Sequence, residues 1–466
     1  MKPGGTDPRD AILMKALETY DASIMIYPTR YPPASSWTKF AEPTLLRSEW
    51  EAALAEHPVA GLYVNIPFCR SACRFCYLPT RVPEESREVD CYLDALEAES
   101  ETWSRTFKDV RFSALYIGGG TPSLLTERQI RRLFEGLRSR FSFDIQPPYQ
   151  AAFEGSPESM TEGKVRLLAS LGVTWMSFGI QSFDPAVLAR AGRRPYRAEE
   201  VERLVAQARS AGIRGIGLDL MCGLEGQAEE GFLRDIRTVC AWQPDQIFLN
   251  TFRPLKETPF AAAGGRLDAA ACARRDRMWA AGFAEATRLG YVMIGNYLVH
   301  ENVSALGRTP WSANLLGLCP FFRSASVLGL GSAAISYVYR RRWYRNAPGA
   351  AAYAERARRG DLPIETDCPT GKRREMINFA VERLELEGRI PAAAFRDAFG
   401  ESLDAALGGP VSELLSRRVL RPTPEGYGLA ADYGASVFAI ARAFFEWPVV
   451  VRMALAHERY EVAEDD

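Results

Sequence analysis

The chain has 466 residues, 47% of them apolar, 25% charged and 11% aromatic, which excludes a disordered or collagen-like chain and leaves room for two or three domains. Its 57 Lys and Arg against 58 Asp and Glu give a formal net charge of -1, without the basic surplus that general binding to nucleic acid or an anionic membrane requires. No apolar run reaches the ~18 residues of a membrane helix, because Arg442, Glu446 and Arg452 break even the stretch 437–456, and residues 1–10 are polar with no signal-peptide core; a cytoplasmic protein is expected.

Residues 1–60 read as an irregular arm or cap, with Pro28, Pro32 and Pro33 set among aromatic and small residues. From residue 61 a rhythm begins in which a short β-rich run precedes a longer helical stretch. The runs are 61–68, 114–118, 150–154, 175–180, 216–221 and 246–252. Helix starts are marked by a capping box at Thr126 and Gln129 and by Ser156-Pro157 and Asp184-Pro185, helix ends by Gly172 and Gly212. This alternation predicts an α/β fold with parallel strands over 61–265, either an open doubly wound sheet or a full or partial (β/α) barrel, with ligands at the carboxyl ends of the strands. The rhythm loosens over 266–365, where Arg340, Arg341, Arg342 and Arg345 interleave with Trp343 and Tyr344, as a holder for an acidic substrate or as a solvated charged face. Residues 366–430 form a separate α+β unit of winged-helix-like order: two amphipathic helices near 373–386 and 391–399, then the segment 411–418, then a two-stranded wing at 419–422 and 426–429. Its acidic to neutral surroundings suit a cap or interaction module, not a DNA reader. Residues 431–466 are a helix and tail.

Nine cysteines, an odd number, cannot all pair. Cys91, Cys222, Cys240, Cys272, Cys319 and Cys368 are scattered and read as buried or inert thiols. Cys69, Cys73 and Cys76 fall within eight residues just after the first β-run. Three thiolates on one loop can wrap a compact inorganic centre and leave one metal corner without a protein ligand. Zinc would want a fourth ligand, and the only histidines are His57, His300 and His457, none close by in sequence; an iron-sulfur cluster with an open iron fits better. The second run ends in Gly118-Gly119-Gly120-Thr121, a loop that can approach a ligand closely. Glu154, Gln181 and Asp219 recur toward the ends of the next three runs. A polar side chain there needs a partner, and three on successive strands favour a shared polar ligand.

These residues resemble radical S-adenosylmethionine (SAM) enzymes of the oxygen-independent coproporphyrinogen III oxidase type, the HemN-like family. The resemblance runs from residue 62 to about 429 and rests on LYVNIPFCRSACRFCYL (62–78), YIGGGTPSL (116–124), FEGSPE (153–158), SFGIQSF (177–183), GLDLMCGLEGQ (217–227) and GLGSAAIS (329–336). It implies a partial (β/α)6 TIM-like barrel followed by the family's C-terminal module. By position, Cys69, Cys73 and Cys76 match the ligands of a [4Fe-4S] cluster whose fourth iron SAM chelates. Gly119, Gly120 and Thr121 match the loop beside the methionine moiety. Glu154, Gln181, Arg193 and Asp219 match the residues that hold the first SAM, with Arg193 on its carboxylate; Tyr63 matches a residue near the cluster. Met221 and Ile335 lie where the family places a second SAM. The implied chemistry is reductive cleavage of SAM to a 5'-deoxyadenosyl radical that abstracts hydrogen, with a flavodoxin or ferredoxin as electron donor. Two departures bear on the subfamily: Leu78 stands where porphyrinogen-oxidizing members carry a further Cys, and Asn65 where they and the haem chaperones usually read His. On these grounds the sequence looks most like the class C methylases and cyclopropanases of natural-product pathways. The expected reaction is then transfer of a SAM-derived one-carbon unit to an sp2 carbon of an aromatic or heteroaromatic small molecule. Coproporphyrinogen III dehydrogenation and a haem-chaperone role are the alternatives.

Overall fold

The computed structural model describes residues 31–143, 150–255, 257–294, 297–300, 325–430 and 442–445. The expected arm up to residue 30, including Pro28, lies outside them, as do Cys319, His457 and all of the 431–466 tail except 442–445. The chain divides into two compact units, one of residues 39–367 and one that joins the residues before 39 to those from 368 onward.

In the larger unit six strands lie side by side in chain order and parallel: β1 (Val59–Ile66), β2 (Arg111–Gly119), β3 (Gln150–Gly155), β4 (Trp175–Gln181), β5 (Gly215–Cys222) and β6 (Gln246–Thr251). Helices Ser86–Ser104, Glu127–Arg138, Glu162–Ser170, Ala198–Ser210 and Glu229–Ala241 connect them, as parallel pairing demands. β1 is buried along almost its whole length, as a strand covered on both faces is. Beyond β6 run the antiparallel β7 (Tyr291–Ile294) and β8 (Tyr297–His300), with β8 on β6. On the other side β9 (Ser326–Leu330) returns parallel to β1, and β10 (Ile335–Val338), β11 (Arg342–Asn346) and β12 (Ile364–Pro369) follow outward. The strand order is open at both ends among the described residues, so the six β/α units form the partial barrel expected, widened on both flanks.

The helix signals are met with one exception. Thr126 and Gln129 form the capping box, Asp184 Oδ1 accepts from the amides of Ala186 and Val187, and Gly172 (φ +78°) and Gly212 (φ +89°) follow helix ends. Ser156-Pro157 does not start a helix. It makes a turn, the next helix begins at Glu162 on a Thr161 cap, and the Ser156 hydroxyl accepts from Arg193 instead.

Two readings of the flanks are corrected. Within the expected irregular arm, Pro43–Glu56 is an α-helix whose Leu46, Trp50, Ala53 and Leu54 recur at helical spacing and are buried. The Trp50 indole meets Trp103, Phe107 and Tyr344 edge-on at centroid distances of 6.1, 4.9 and 6.4 Å and donates to the Tyr344 hydroxyl. Trp50→Ala is expected to destabilise the unit by about 3–5 kcal/mol, read from the shift in its denaturant midpoint. Arg342, within the arginine run of 340–345, is neither a substrate clamp nor part of a solvated face. Arg342 is 2% exposed and paired with Glu49 (2.6 Å), Asp367 and Glu42 (3.4 Å), Arg341 reaches Glu56 (3.0 Å), and Arg340 lies 5.1 Å from the Tyr339 ring centre. Through Arg342 and Arg341, Glu49 and Glu56 tie Pro43–Glu56 to β11 and the residue before it.

In the smaller unit helices Lys372–Glu387, Ala392–Phe399 and Leu403–Ser416 precede the wing strands Leu420–Thr423 and Gly426–Leu429. A further short strand, Arg389–Pro391, makes the wing three-stranded. Its core joins Ile377, Val381, Phe395, Leu407 and Val411 to Tyr31. Among the described residues no helix is long and apolar enough to cross a membrane.

Candidate active site

After Ile66 the chain leaves β1 through a loop that is fastened on two sides. At its base Cys69 N donates to Arg81 O (2.9 Å) and Arg81 N to Pro67 O (2.8 Å), while Gly120 N and Thr121 N donate to Ile66 O and Phe68 O (2.8 Å each). Across from these, Arg74 N donates to Ala191 O (3.0 Å) and the Ser71 hydroxyl to Gly192 O (3.0 Å). The loop after β2 and the turn after the short helix Pro185–Arg190 thus grip the same fifteen or so residues of chain, on the order of one Ω-loop. Gly120 has a steric reason: a Cβ there would lie 2.8 Å from Phe68 O. Cys69, Cys73 and Cys76 are free, partly buried thiols, and the Thr121 hydroxyl lies 3.4 Å from Cys69 Sγ. Burial pushes all three up, Cys76 to about 11, while the Arg193 guanidinium pulls in the other direction. Among the described residues no three His, Cys, Asp or Glu side chains are set to grip one metal ion. The loop thiols feel one another's charge, and three such sulfurs suit a multi-iron centre, each iron of which takes one sulfur.

The polar residues gather at the carboxyl ends of β2 to β5. Glu154 Oε1 accepts from the Tyr116 hydroxyl and its Oε2 from Gly119 N (3.1 Å). Gly118 makes room for it, since a Cβ would lie 2.9 Å from Oε2. Burial raises the Glu154 carboxyl, and burial followed by the neighbouring Glu154 charge pushes Asp219 up to about 7; the Ser177 hydroxyl donates to Asp219 Oδ1 (3.4 Å). Gln181 follows a register shift between β4 and β5 and takes a left-handed φ of +72°, which a glutamine adopts only under constraint. Among the described residues its buried Oε1 has no partner. Arg193, whose side chain is about nine-tenths buried, donates from Nη2 to Gly179 O (2.9 Å) and Ser156 Oγ (3.0 Å), with Glu158 at 3.7 Å, and among the described residues its buried Nε is left over. A spare acceptor and a spare donor at one strand's end fit a ligand carrying both an ammonium and a carboxylate, as the methionyl end of SAM does.

Tyr63 stands beside this group, its ring centre 5.8 Å from that of Tyr116 and its hydroxyl donating to Asn65 Oδ1 (2.9 Å). Met221 belongs to an apolar cluster with Val187, Leu224, Phe252 and Phe260, against which Phe75 of the cysteine loop packs. Ile335 is outside that cluster, at the start of β10 on the far side of β1. Sequence reasoning missed Tyr116, Ser156 and Glu158. Tyr116 could have been found, because it shares a strand face with Gly118 at a spacing of two.

Asp219 sets a pH dependence. A carboxyl whose folded pKa, about 7, lies above its unfolded value of about 4 binds more protons folded than unfolded. It costs nothing below the lower value and weakens the fold progressively as pH rises toward the higher one. Asp219→Asn is therefore expected to shrink the drop in Tm between pH 5 and pH 8, measured on both proteins at one ionic strength.

Comparison with known proteins adds to the fold and the cysteine loop. Residues 63–239 match the model of the Radical SAM superfamily, whose members use a [4Fe-4S] cluster and SAM together with a small-molecule substrate and a source of electrons. Over most of its length the chain is similar to HemN-like proteins. It is 26% identical to the oxygen-independent coproporphyrinogen III oxidase of Cereibacter sphaeroides over 82% of this chain and 86% of that one, and 27% identical to that of Paracoccus denitrificans over 91% of each. The heme chaperone HemW of Bacillus subtilis is 33% identical over 38% of this chain and 46% of its own. The solved coproporphyrinogen III oxidase of Escherichia coli shares the fold, with a TM-score of 0.79 at 23% identity over 91% of this chain and 98% of that one. These relatives overturn the expected one-carbon transfer, which leaned on two positions. Of those two, Leu78 is 42% exposed on the loop and Asn65 accepts from the Tyr63 hydroxyl.

Proposed function

We propose that this chain is an oxygen-independent oxidoreductase that acts on a porphyrinogen of the coproporphyrinogen III kind. The observation that carries the reading is the extent of its likeness to coproporphyrinogen III oxidases, 82% and 91% of the chain, which takes in the barrel, its flanks and the smaller unit. In this reading the thiolates of Cys69, Cys73 and Cys76 hold the cluster. The Arg193 Nε–H meets the cofactor's carboxylate and the Gln181 carbonyl its ammonium, with Glu154 and Asp219 beside them. Gly119, Gly120 and Thr121 keep the loop after β2 thin enough for that ligand to lie against it, and Met221 with its apolar neighbours keeps water off it. When bound, the cluster and SAM supply a carbon-centred radical that removes hydrogen from an unactivated carbon. The protein's part is to hold that carbon within reach. A flavodoxin or ferredoxin delivers the electron.

The test is anaerobic incubation of iron-reconstituted protein with SAM, a reductant and coproporphyrinogen III, read by mass spectrometry. Loss of carboxyl groups from the porphyrinogen is expected. An unchanged porphyrinogen in protein that still cleaves SAM would refute the assignment, and stoichiometric haem binding alongside it would point to the chaperone role.

A further inference from the structure

Glu99 is 2% exposed, in the C-terminal third of the helix Ser86–Ser104 that covers β1 and β9. The three groups that donate to it are neutral. Gly331 N (2.8 Å) and the Tyr353 hydroxyl (2.6 Å) donate to Oε2, and Asn346 Nδ2 (2.7 Å) donates to Oε1. Burial pushes the carboxyl up to about 7 in spite of these three bonds. Neutral donors offset the desolvation of a carboxylate only in part, and an apolar side chain would fill the same space at lower cost. What the carboxylate adds is the turn it holds.

That turn, Gly331–Ser332 between β9 and β10, sits against the end of β1. Gly331 has a φ of +99°, and a Cβ there would lie 2.5 Å from both the Asn65 carbonyl oxygen and the Tyr92 hydroxyl. Ser332 N donates to the Tyr92 hydroxyl (2.8 Å), which donates in turn to Asn65 O (2.7 Å). Asn346 Nδ2 closes the turn from behind on Gly331 O (3.0 Å). The Tyr92 ring meets Phe68 edge-on at 5.3 Å, and Phe68 is the residue before Cys69. Asn65 itself receives the Tyr63 hydroxyl and borders Gly119, where a Cβ would strike its Oδ1.

We propose that Glu99 is a positioning residue of the active site, pinning the Gly331–Ser332 turn to β1 and, through Tyr92, fixing Asn65 and the Phe68–Cys69 step into the cysteine loop. The inference rests on the reading of Cys69, Cys73 and Cys76 as the seat of the cluster. Three donors converge on the carboxylate, so a glutamine, whose amide nitrogen is itself a donor, keeps the shape and loses at least one bond.

The experiment compares full-length wild type, Glu99→Gln and Tyr353→Phe after anaerobic reconstitution, with circular dichroism to confirm folding. Two properties are read without substrate: SAM affinity by equilibrium dialysis, and the change that SAM causes in the electron paramagnetic resonance (EPR) spectrum of the reduced cluster. Glu99→Gln is expected to bind SAM about tenfold more weakly, the usual scale for a residue that orients a ligand-holding group, and to give an altered SAM-induced spectrum; Tyr353→Phe moves both in the same direction by less. Folded variants that bind SAM within about twofold of wild type, on the same scale, and show the wild-type spectral change would overturn the proposal. If Glu99→Gln fails to fold, Tyr353→Phe decides it on the same two readouts. Wild-type protein that takes up no cluster would overturn the reading of the loop, and this inference with it, before any variant is made; a failed porphyrinogen assay touches neither.

Discussion

Cys73→Ala protein, reconstituted with iron and sulfide in the absence of oxygen, is expected to lose the SAM-responsive EPR signal and to cleave SAM more than about a thousandfold more slowly than wild type, the scale seen when one member of a group that acts as a unit is removed. Cys69 and Cys76 are expected to behave alike. The loop that carries them is fastened by backbone hydrogen bonds to the residues after β2 on one side and to Ala191 on the other, so alanine removes a sulfur without releasing the chain. Cys272→Ala, on the helix Ala269–Arg288, is the control and keeps full activity. Iron content, spectrum and 5'-deoxyadenosine formation check the series together. A Cys73→Ala protein with the wild-type spectrum would remove that residue from the cluster seat.

Arg193→Leu is expected to have the second largest effect, on stability and on SAM affinity at once. Its guanidinium donates to Gly179 O and Ser156 Oγ and lies 3.7 Å from Glu158, both side chains being about nine-tenths buried. Leucine leaves the Glu158 carboxylate without its cation, and breaking a buried pair from one side costs about 3–5 kcal/mol. It also removes the spare Nε–H assigned to the cofactor's carboxylate, for which a loss of about 2–5 kcal/mol of binding is the usual scale when one partner of a buried charge pair is truncated. Arg193→Lys separates the two effects. It restores the charge beside Glu158 without the fork of donors, so Tm recovers while SAM affinity stays low. Calorimetric titration and thermal unfolding of the two variants would show it, and equal recovery of both would deny Arg193 a directional role.

The parts of the site that were legible in the sequence are those whose chemistry fits in a short window. Three cysteines in eight residues and a run of glycines at a strand's end announce themselves, and the β/α rhythm placed both on one rim. The pairings that complete the site span 35 to 38 residues, Gly119 and Tyr116 to Glu154 and Arg193 to Ser156, and depend on strand register, which no local pattern encodes. The left-handed Gln181 is likewise a product of the register shift between β4 and β5. Two misreadings had other causes. The prolines near residue 30 drew attention from the i, i+4, i+7, i+8 spacing of Leu46, Trp50, Ala53 and Leu54, and an arginine run was judged by its charge although carboxylates as far away as Glu42, Glu49 and Asp367 claim Arg342. The expected one-carbon transfer failed because single residues at Leu78 and Asn65 carried more weight than the likeness of the whole chain.

One measurement bears on the whole account most directly: the yield of methionine and 5'-deoxyadenosine when the anaerobic, iron-loaded protein is given SAM and a strong reductant. Equal amounts of the two, formed by wild type and absent from Cys73→Ala, are the predicted result. Wild-type protein with a full complement of iron that leaves SAM intact, or a loop that takes up zinc in place of iron, would contradict it.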